Sequence, residues 1–175
     1  DVTWNTPSGN PPATTGFKIE RSDDGGATWT ILSANTGNTN TLYQDTGLTP
    51  LTEYFYRTST INASGTSVVS ISGSNTTYGP PDAPTSLTAT PLPGAQIELD
   101  WIAPVNNNGD AVNSYQIERS LDNISWSVLT NTGTTSLTYT DTGLNTPQTY
   151  YYRVSATSGY GTGAASNMAS AIASD

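Results

Sequence analysis

The sequence predicts an all-β protein made of two β-sandwiches in tandem. Three observations predict it. First, the 175-residue chain nearly repeats itself at offsets of 96 to 98 residues. Trp4 answers Trp101, Ile19-Glu20-Arg21-Ser22 answers Ile117-Glu118-Arg119-Ser120, and Trp29 answers Trp126. Asp45-Thr46-Gly47-Leu48 answers Asp141-Thr142-Gly143-Leu144, and Tyr54, Tyr56 and Arg57 answer Tyr150, Tyr152 and Arg153. A period of that length is a whole domain, too long for a solenoid unit, and the drift needs only small changes in loops. Second, apolar and polar residues alternate at period two in short runs bounded by turn residues, the pattern of half-buried strands. Third, Thr, Ser and Asn are abundant and runs of strong helix formers are absent, which favours pleated structure. Aliphatic residues are sparse, but 4 Trp and 10 Tyr replace them, each burying on the order of 150–250 Å² when packed. That aromatic content, with a modest charge per residue, argues against disorder.

The second repeat shows the full strand set, lettered here A to G. Leu87 and Ala89 mark strand A, and Ile97, Leu99 and Trp101 share one face of strand B. Tyr115, Ile117 and Arg119 alternate along strand C, and Trp126 and Val128 follow a polar turn as strand C′. Leu137 and Tyr139 mark strand E, and Tyr150, Tyr152, Val154 and Ala156 share one face of strand F. Strand G is weak, roughly Ala164 to Ile172. Seven short strands with turns at this spacing make a sandwich. The first repeat departs in one respect. Asp1-Val2-Thr3-Trp4 aligns with Glu98-Leu99-Asp100-Trp101, so the counterpart of Pro84 to Ile97 is missing. Nothing near the C-terminus reads as a spare strand. The expectation is an excised fragment, or an edge strand arriving from elsewhere as in donor-strand complementation. Between the repeats, three prolines and a glycine within Gly79 to Pro84 make a short, stiff connector. The predicted domains are 1–78 and 79–175. Their predicted cores hold Trp4, Ile19, Tyr54 and Tyr56 in the first, and Leu99, Trp101, Ile117, Tyr150, Tyr152 and Val154 in the second.

Charge and composition exclude several functions. Five bases against fourteen acids give a net charge of −9, which repels nucleic acid. No apolar run approaches the roughly 20 residues of a membrane helix, so no membrane insertion is expected. The chain has no Cys and no His, which removes disulfides, thiolate and imidazole metal sites, and a Ser-His-Asp triad. Glu20 and Glu118 are the only glutamates that recur, and each is followed by Arg. They are not placed as the acid pair of a glycosidase. No catalytic residue, cofactor or metal is expected.

The repeated motifs resemble fibronectin type III domains, of the kind strung along secreted and cell-surface proteins of bacteria and archaea. The resemblance is carried by Pro84-Thr85-Ser86-Leu87-Thr88-Ala89 at strand A, Trp101 at strand B and Tyr115-Gln116-Ile117-Glu118-Arg119-Ser120 at strand C. The corners Leu48 to Tyr54 and Leu144 to Tyr150 complete it. It implies two seven-stranded immunoglobulin-like sandwiches, the first lacking strand A. It also implies a tyrosine corner in which Tyr54 and Tyr150 bury their rings and bond backbone. The implied role is a non-catalytic spacer or protein-interaction module of a larger extracellular or cell-surface protein. The alternatives are an accessory module of an extracellular polysaccharide-degrading enzyme, or a subunit of a surface filament or layer. The implied partners are protein or polysaccharide at the cell surface, with self-association in the filament case.

Particular residues carry more specific expectations. Asp23-Asp24-Gly25-Gly26 and Leu121-Asp122-Asn123 suit either a calcium-binding turn or a hairpin in which Asp starts the turn. The second copy loses one acid and both glycines, which favours the hairpin. Asn106-Asn107-Asn108-Gly109-Asp110 reads as a flexible turn. Tyr160, flanked by glycines, is a candidate for stacking on a sugar or a protein. Asn62, Asn75 and Asn123 head Asn-X-Ser/Thr sequons placed in loops or the connector. Alternation also points Glu20 and Arg57, and Glu118 and Arg153, outward on paired strands C and F. Each pair is expected to meet as a solvent-exposed ion pair, with Phe55 and Tyr151 beside it as a candidate docking patch. The Arg-Gly-Asp of integrin-binding relatives is absent from the loops between strands F and G.

Overall fold

The computed structural model describes residues 1–7 and 13–175. The chain divides into two compact units, Asp1–Thr77 and Tyr78–Asp175. Tyr78, expected in the first domain, belongs to the second. Its ring meets Tyr160 edge-on, with centroids 5.4 Å apart at 84°, and lies directly over Gly109, where a side chain would collide with it.

The first unit contains β1 (Val2–Thr3), β2 (Gly16–Ser22), β3 (Thr30–Ser33), β4 (Leu42–Tyr43), β5 (Glu53–Asn62), β6 (Gly65–Thr66) and β7 (Gly73–Thr76). The second contains β8 (Thr85–Leu92), β9 (Gln96–Ile102), β10 (Ser114–Ser120), β11 (Ser127–Asn131), β12 (Thr138–Asp141), β13 (Gln148–Ser158), β14 (Gly161–Ala165) and β15 (Ala169–Ala173). Among the described residues there is no helix, and none is long and apolar enough to cross a membrane.

In the second unit β12, β9 and β8 form one antiparallel sheet, and β11, β10, β13 and β14 form the other, with β15 also on β13. These are the two layers of the expected sandwich, A-B-E against C′-C-F-G. Trp126 and Leu137 stand one residue ahead of β11 and β12. The expected strand G is split in two. Asn167 turns out of the ladder between β14 and β15, and its amide bonds both the N–H and the C=O of Leu87 on β8 at 2.9 Å. The first unit repeats the larger sheet as β3-β2-β5-β6 with β7 on β5, and among the described residues its smaller sheet is the pair β1-β4.

The six residues expected in the core of the second unit are all buried, with Leu87, Ile97, Tyr115 and Leu144 among them. In the first unit Ile19 and Tyr54 are buried, joined by Phe17. Trp4 and Tyr56 are only half-buried, against expectation. The reason is the layer above them. In the second unit β8 runs along β9 and closes the core over Trp101. Among the described residues of the first unit, β1 pairs with β4 alone. The inner packing is otherwise shared: Trp4 meets Phe17 edge-on at 5.1 Å, and Trp101 meets Tyr115 at 5.2 Å.

Candidate interaction face

Pairing of β2 with β5, and of β10 with β13, sets Glu20 opposite Arg57 and Glu118 opposite Arg153. The side chains meet. Arg57 Nε donates to Glu20 at 3.0 Å, and Arg153 binds Glu118 through two nitrogens at 2.6 and 2.9 Å. Each guanidinium also lies under an indole: Arg57 is 4.1 Å from the Trp29 ring centre and Arg153 4.5 Å from that of Trp126. These are cation–π distances. Lys18 Nζ adds a bond to Glu20 at 2.8 Å.

The first pair is not the exposed pair the alternation suggests, because Glu20 is only 5% exposed. The ladder to β3 shifts register between Ile19 and Glu20, as at a bulge, but what covers the carboxylate is its cations. Lys18 and the Trp-capped Arg57 then close over it. The same shift recurs between Ile117 and Glu118. The Arg57 hydrogen bond holds the Glu20 carboxyl below its usual value, against the opposing pull of burial. Arg153 is correspondingly raised by its bond to Glu118.

A second network, which alternation does not announce, lies one residue along. Arg21 Nη1 binds both oxygens of Asp45 at 3.2 and 3.0 Å, and Tyr56 Oη donates to Asp45 at 2.9 Å. In the second unit Arg119 and Tyr152 Oη each reach Asp141 Oδ2 at 2.9 Å. The arginines also stand over the rings of Tyr54 and Tyr150, at 5.1 and 5.3 Å. Those two tyrosines form the corners: Tyr54 Oη accepts from Thr49 N–H and Tyr150 Oη from Asn145 N–H. The signal was present in the sequence as a triple that recurs together, Arg21-Asp45-Tyr56 and Arg119-Asp141-Tyr152. Burial and the neighbouring carboxylate push the Tyr56 and Tyr152 hydroxyls well above the usual tyrosine value.

The turn acids close hairpins. Asp24 accepts from Ser22 Oγ and from the Thr28 N–H and hydroxyl. Asp122 accepts from Ser120 Oγ, Ile124 N–H and Ser125 N–H. Hydroxyl and backbone donors therefore occupy the oxygens a cation would use, and they hold both carboxyls far below the usual range. Among the described residues no three acids converge as a metal-ligand group.

Phe55 and Tyr151 are half-buried on the larger sheets, each flanked by serines: Ser22 and Ser74 beside Phe55, Ser120 and Ser170 beside Tyr151. Tyr160 is 53% exposed in the turn after β13, about 30 Å along the strand from Tyr151 at ~3.3 Å per residue. The loop of Asn106 to Asp110 is not a free turn. Asn108 donates to Pro80 C=O and to Asp82, its own C=O accepts from Gly79 N–H, and Asp110 accepts from Gly159 N–H. Asn62 ends β5 and accepts from Ser64 N–H. Asn123 is exposed in the turn before β11. Asn75 lies on β7 rather than in the connector, exposed, with its backbone paired to Tyr54.

All five cations of the chain, Lys18, Arg21, Arg57, Arg119 and Arg153, are bound to carboxylates within their own unit. The sequence model of the fibronectin type III domain matches residues 82–172. The chain belongs to the fibronectin type III family. Its fibronectin type III units resemble Exoglucanase B of Cellulomonas fimi, 29% identical over 138 residues that make 74% of this chain and 12% of that protein. Usherin of Mus musculus is 30% identical over 152 residues, 82% of this chain and 3% of usherin. The solved domains A168–A170 of titin share the fold, with a TM-score of 0.54, 16% identity and coverage of 90% of this chain and 54% of that one. The fibronectin type III pair thus corresponds to a small part of much longer curated relatives.

Proposed function

We propose that this fibronectin type III pair is a non-catalytic spacer and interaction module of a larger extracellular or cell-surface protein. The observation that carries the reading is the engagement of the recurring charged groups. The arginines, glutamates and aspartates that repeat between the units bind one another and their covering aromatic rings. Residues kept in both copies for internal bonding serve rigidity, and a spacer needs rigidity. Phe55 and Tyr151 are the contact residues of the interaction role. Asn62, Asn75 and Asn123 are its glycosylation acceptors. A second reading, an accessory module of a polysaccharide-degrading enzyme, is favoured by the exposed Tyr160 paired with Tyr78 and by the likeness to an exoglucanase.

One set of measurements on the purified chain separates the readings. Sedimentation should show a monomer at all concentrations, and pull-down on insoluble cellulose should leave the chain in solution. Self-association would favour a filament subunit. Retention on cellulose that is lost in Tyr160→Ala would replace the spacer reading with the accessory one.

A further inference from the structure

The hairpin between β10 and β11 differs from its counterpart between β2 and β3. Leu121–Ser125 is one residue shorter than Asp23–Thr28 and lacks both glycines. In the first unit Gly26, at a φ of 88°, folds back onto the indole of Trp29. A Cβ there would stand 3.3 Å from the ring, and Trp29 Nε1 donates to the Gly26 carbonyl at 2.9 Å. The shorter hairpin has no residue in that place. Among the described residues Trp126 Nε1 has no partner, and Trp126 lines a cleft of about 450 Å³ together with Arg119, Leu121, Asp122, Asn145 and others. That volume is in the range of small-ligand sites.

The polar groups of the lining are donors with capacity to spare. Arg119 binds Asp141 through Nη1 alone at 2.9 Å, whereas Arg21 spans both oxygens of Asp45. Asn145 gives its backbone N–H to Tyr150 Oη, and among the described residues its side-chain amide is unbonded. The first unit has Thr49 there. The charges, by contrast, are already matched. Asp141 balances Arg119, and the Asp122 oxygens accept from Ser120, Ile124 and Ser125. The cleft therefore presents unpaired N–H groups without uncompensated charge, beside an indole and an exposed Leu121. A neutral ligand with acceptor oxygens and an apolar face matches that chemistry, and a sugar ring has both. Its hydroxyls accept from N–H groups and turn their own protons to water. A peptide would bring N–H groups that must find acceptors, which this lining is short of.

We propose that this cleft binds a neutral sugar residue, held by Trp126 Nε1, the Arg119 guanidinium and the Asn145 amide, with its apolar face toward the indole and Leu121. The first unit, whose indole is closed by Gly26, does not bind. The proposal goes beyond the spacer reading, which does not need it. The cleft also lies at the opposite end of β13 from Tyr160, so it is a different surface from the Tyr78–Tyr160 pair.

The test titrates the whole isotope-labelled chain with cellotetraose, xylotetraose and chitotetraose, and follows the indole N–H signals of its four tryptophans. At least one sugar should shift the Trp126 signal saturably and leave that of Trp29 in place. Trp126→Phe keeps an aromatic ring over Arg153 and identifies the signal by its loss. This variant and Asn145→Thr, followed at the Ser125 amide, should each bind about fivefold more weakly, as the loss of one hydrogen bond predicts. Tyr160→Ala should bind as the parent does. The proposal is overturned if no indole signal moves at millimolar concentration of any of the three sugars, or if Trp29 responds as Trp126 does. Parent-like affinity in either cleft variant, or binding abolished by Tyr160→Ala, would overturn it equally. A chain that ignores all three sugars ends this proposal and leaves the spacer reading standing, because that reading is decided by sedimentation.

Discussion

Asp45 and Asp141 each receive one arginine and one tyrosine hydroxyl, and Asp141 is only 3% exposed. Removing that carboxylate strands a buried phenol and a guanidinium at once. Asp141→Ala should therefore destabilise the second unit by about 3–5 kcal/mol, measured as a lowered denaturant midpoint. Asp141→Asn, which keeps an acceptor for Tyr152, should lose clearly less. Acid has a related effect. Glu20, Asp24 and Asp122 are all held below their usual values in the folded chain. A depressed carboxyl stabilises fully above its ordinary value and loses that contribution as pH falls through the folded value. The thermal midpoint should accordingly stay level from neutrality down to about pH 4.5 and fall below it. Glu20→Gln should remove part of that fall. Tyr56 and Tyr152 behave oppositely, since their values are raised. Their contribution holds below about pH 10 and is lost as pH rises. The corner tyrosines were readable from sequence because their motif is local. The two aspartates were not, because a contact such as Arg119 on β10 with Asp141 on β12 runs between sheets, and alternation along a strand says nothing of that.

At the scale of the strand, the C–F pair was legible and its environment was not. Alternation fixes which residues share a face, so it set Glu20 with Arg57 and Glu118 with Arg153. It assumes a regular ladder, and the ladder shifts beside both glutamates. Glu20 is buried and Glu118 is not, because Lys18 closes over Glu20 where the second unit has Gln116, which no period-two count can show. The indole caps escaped for a similar reason, since Trp29 and Trp126 stand just outside β3 and β11. They come back over the sheet through the hairpins bracketed by Asp24 and Asp122. Removing a cap should expose the ion pair beneath it. Trp126→Ala should lose about 1 kcal/mol from the cation–π contact alone. It should also make the second unit's stability more sensitive to salt, because an uncovered pair is screened. A denaturant series at low and high ionic strength checks both. Strand G was misread as continuous because Asn167 looks like any polar strand residue until its bond to Leu87 is seen.

At the scale of the whole chain, the internal repeat made the number of domains and their all-β class readable before any single strand was. It also pointed to the unit with the thinner core. Trp101 is buried beneath β8, whereas Trp4 is half-exposed. Trp101→Ala should cost about 3–5 kcal/mol and Trp4→Ala markedly less. The first unit should be the first to open, with its amides exchanging ahead of those of β9, β10 and β13 in hydrogen-exchange mass spectrometry. Better protection of the first unit in a monomeric sample would contradict this. The placement of the bases has a further consequence. Lys18, Arg21, Arg57, Arg119 and Arg153 all lie on β2, β5, β10 and β13, the inner strands of the two larger sheets. The turns, the loops and the segment joining the units contain no Lys or Arg. Trypsin, which cuts only after those residues, meets no cleavable bond in any exposed turn of the folded chain. Its first cut must wait for a sheet to open. A trypsin time course is thus a direct clock for opening, in which scission after Arg21 or Arg57 precedes scission after Arg119 or Arg153, while proteases that recognise Tyr or Leu nick the native surface freely.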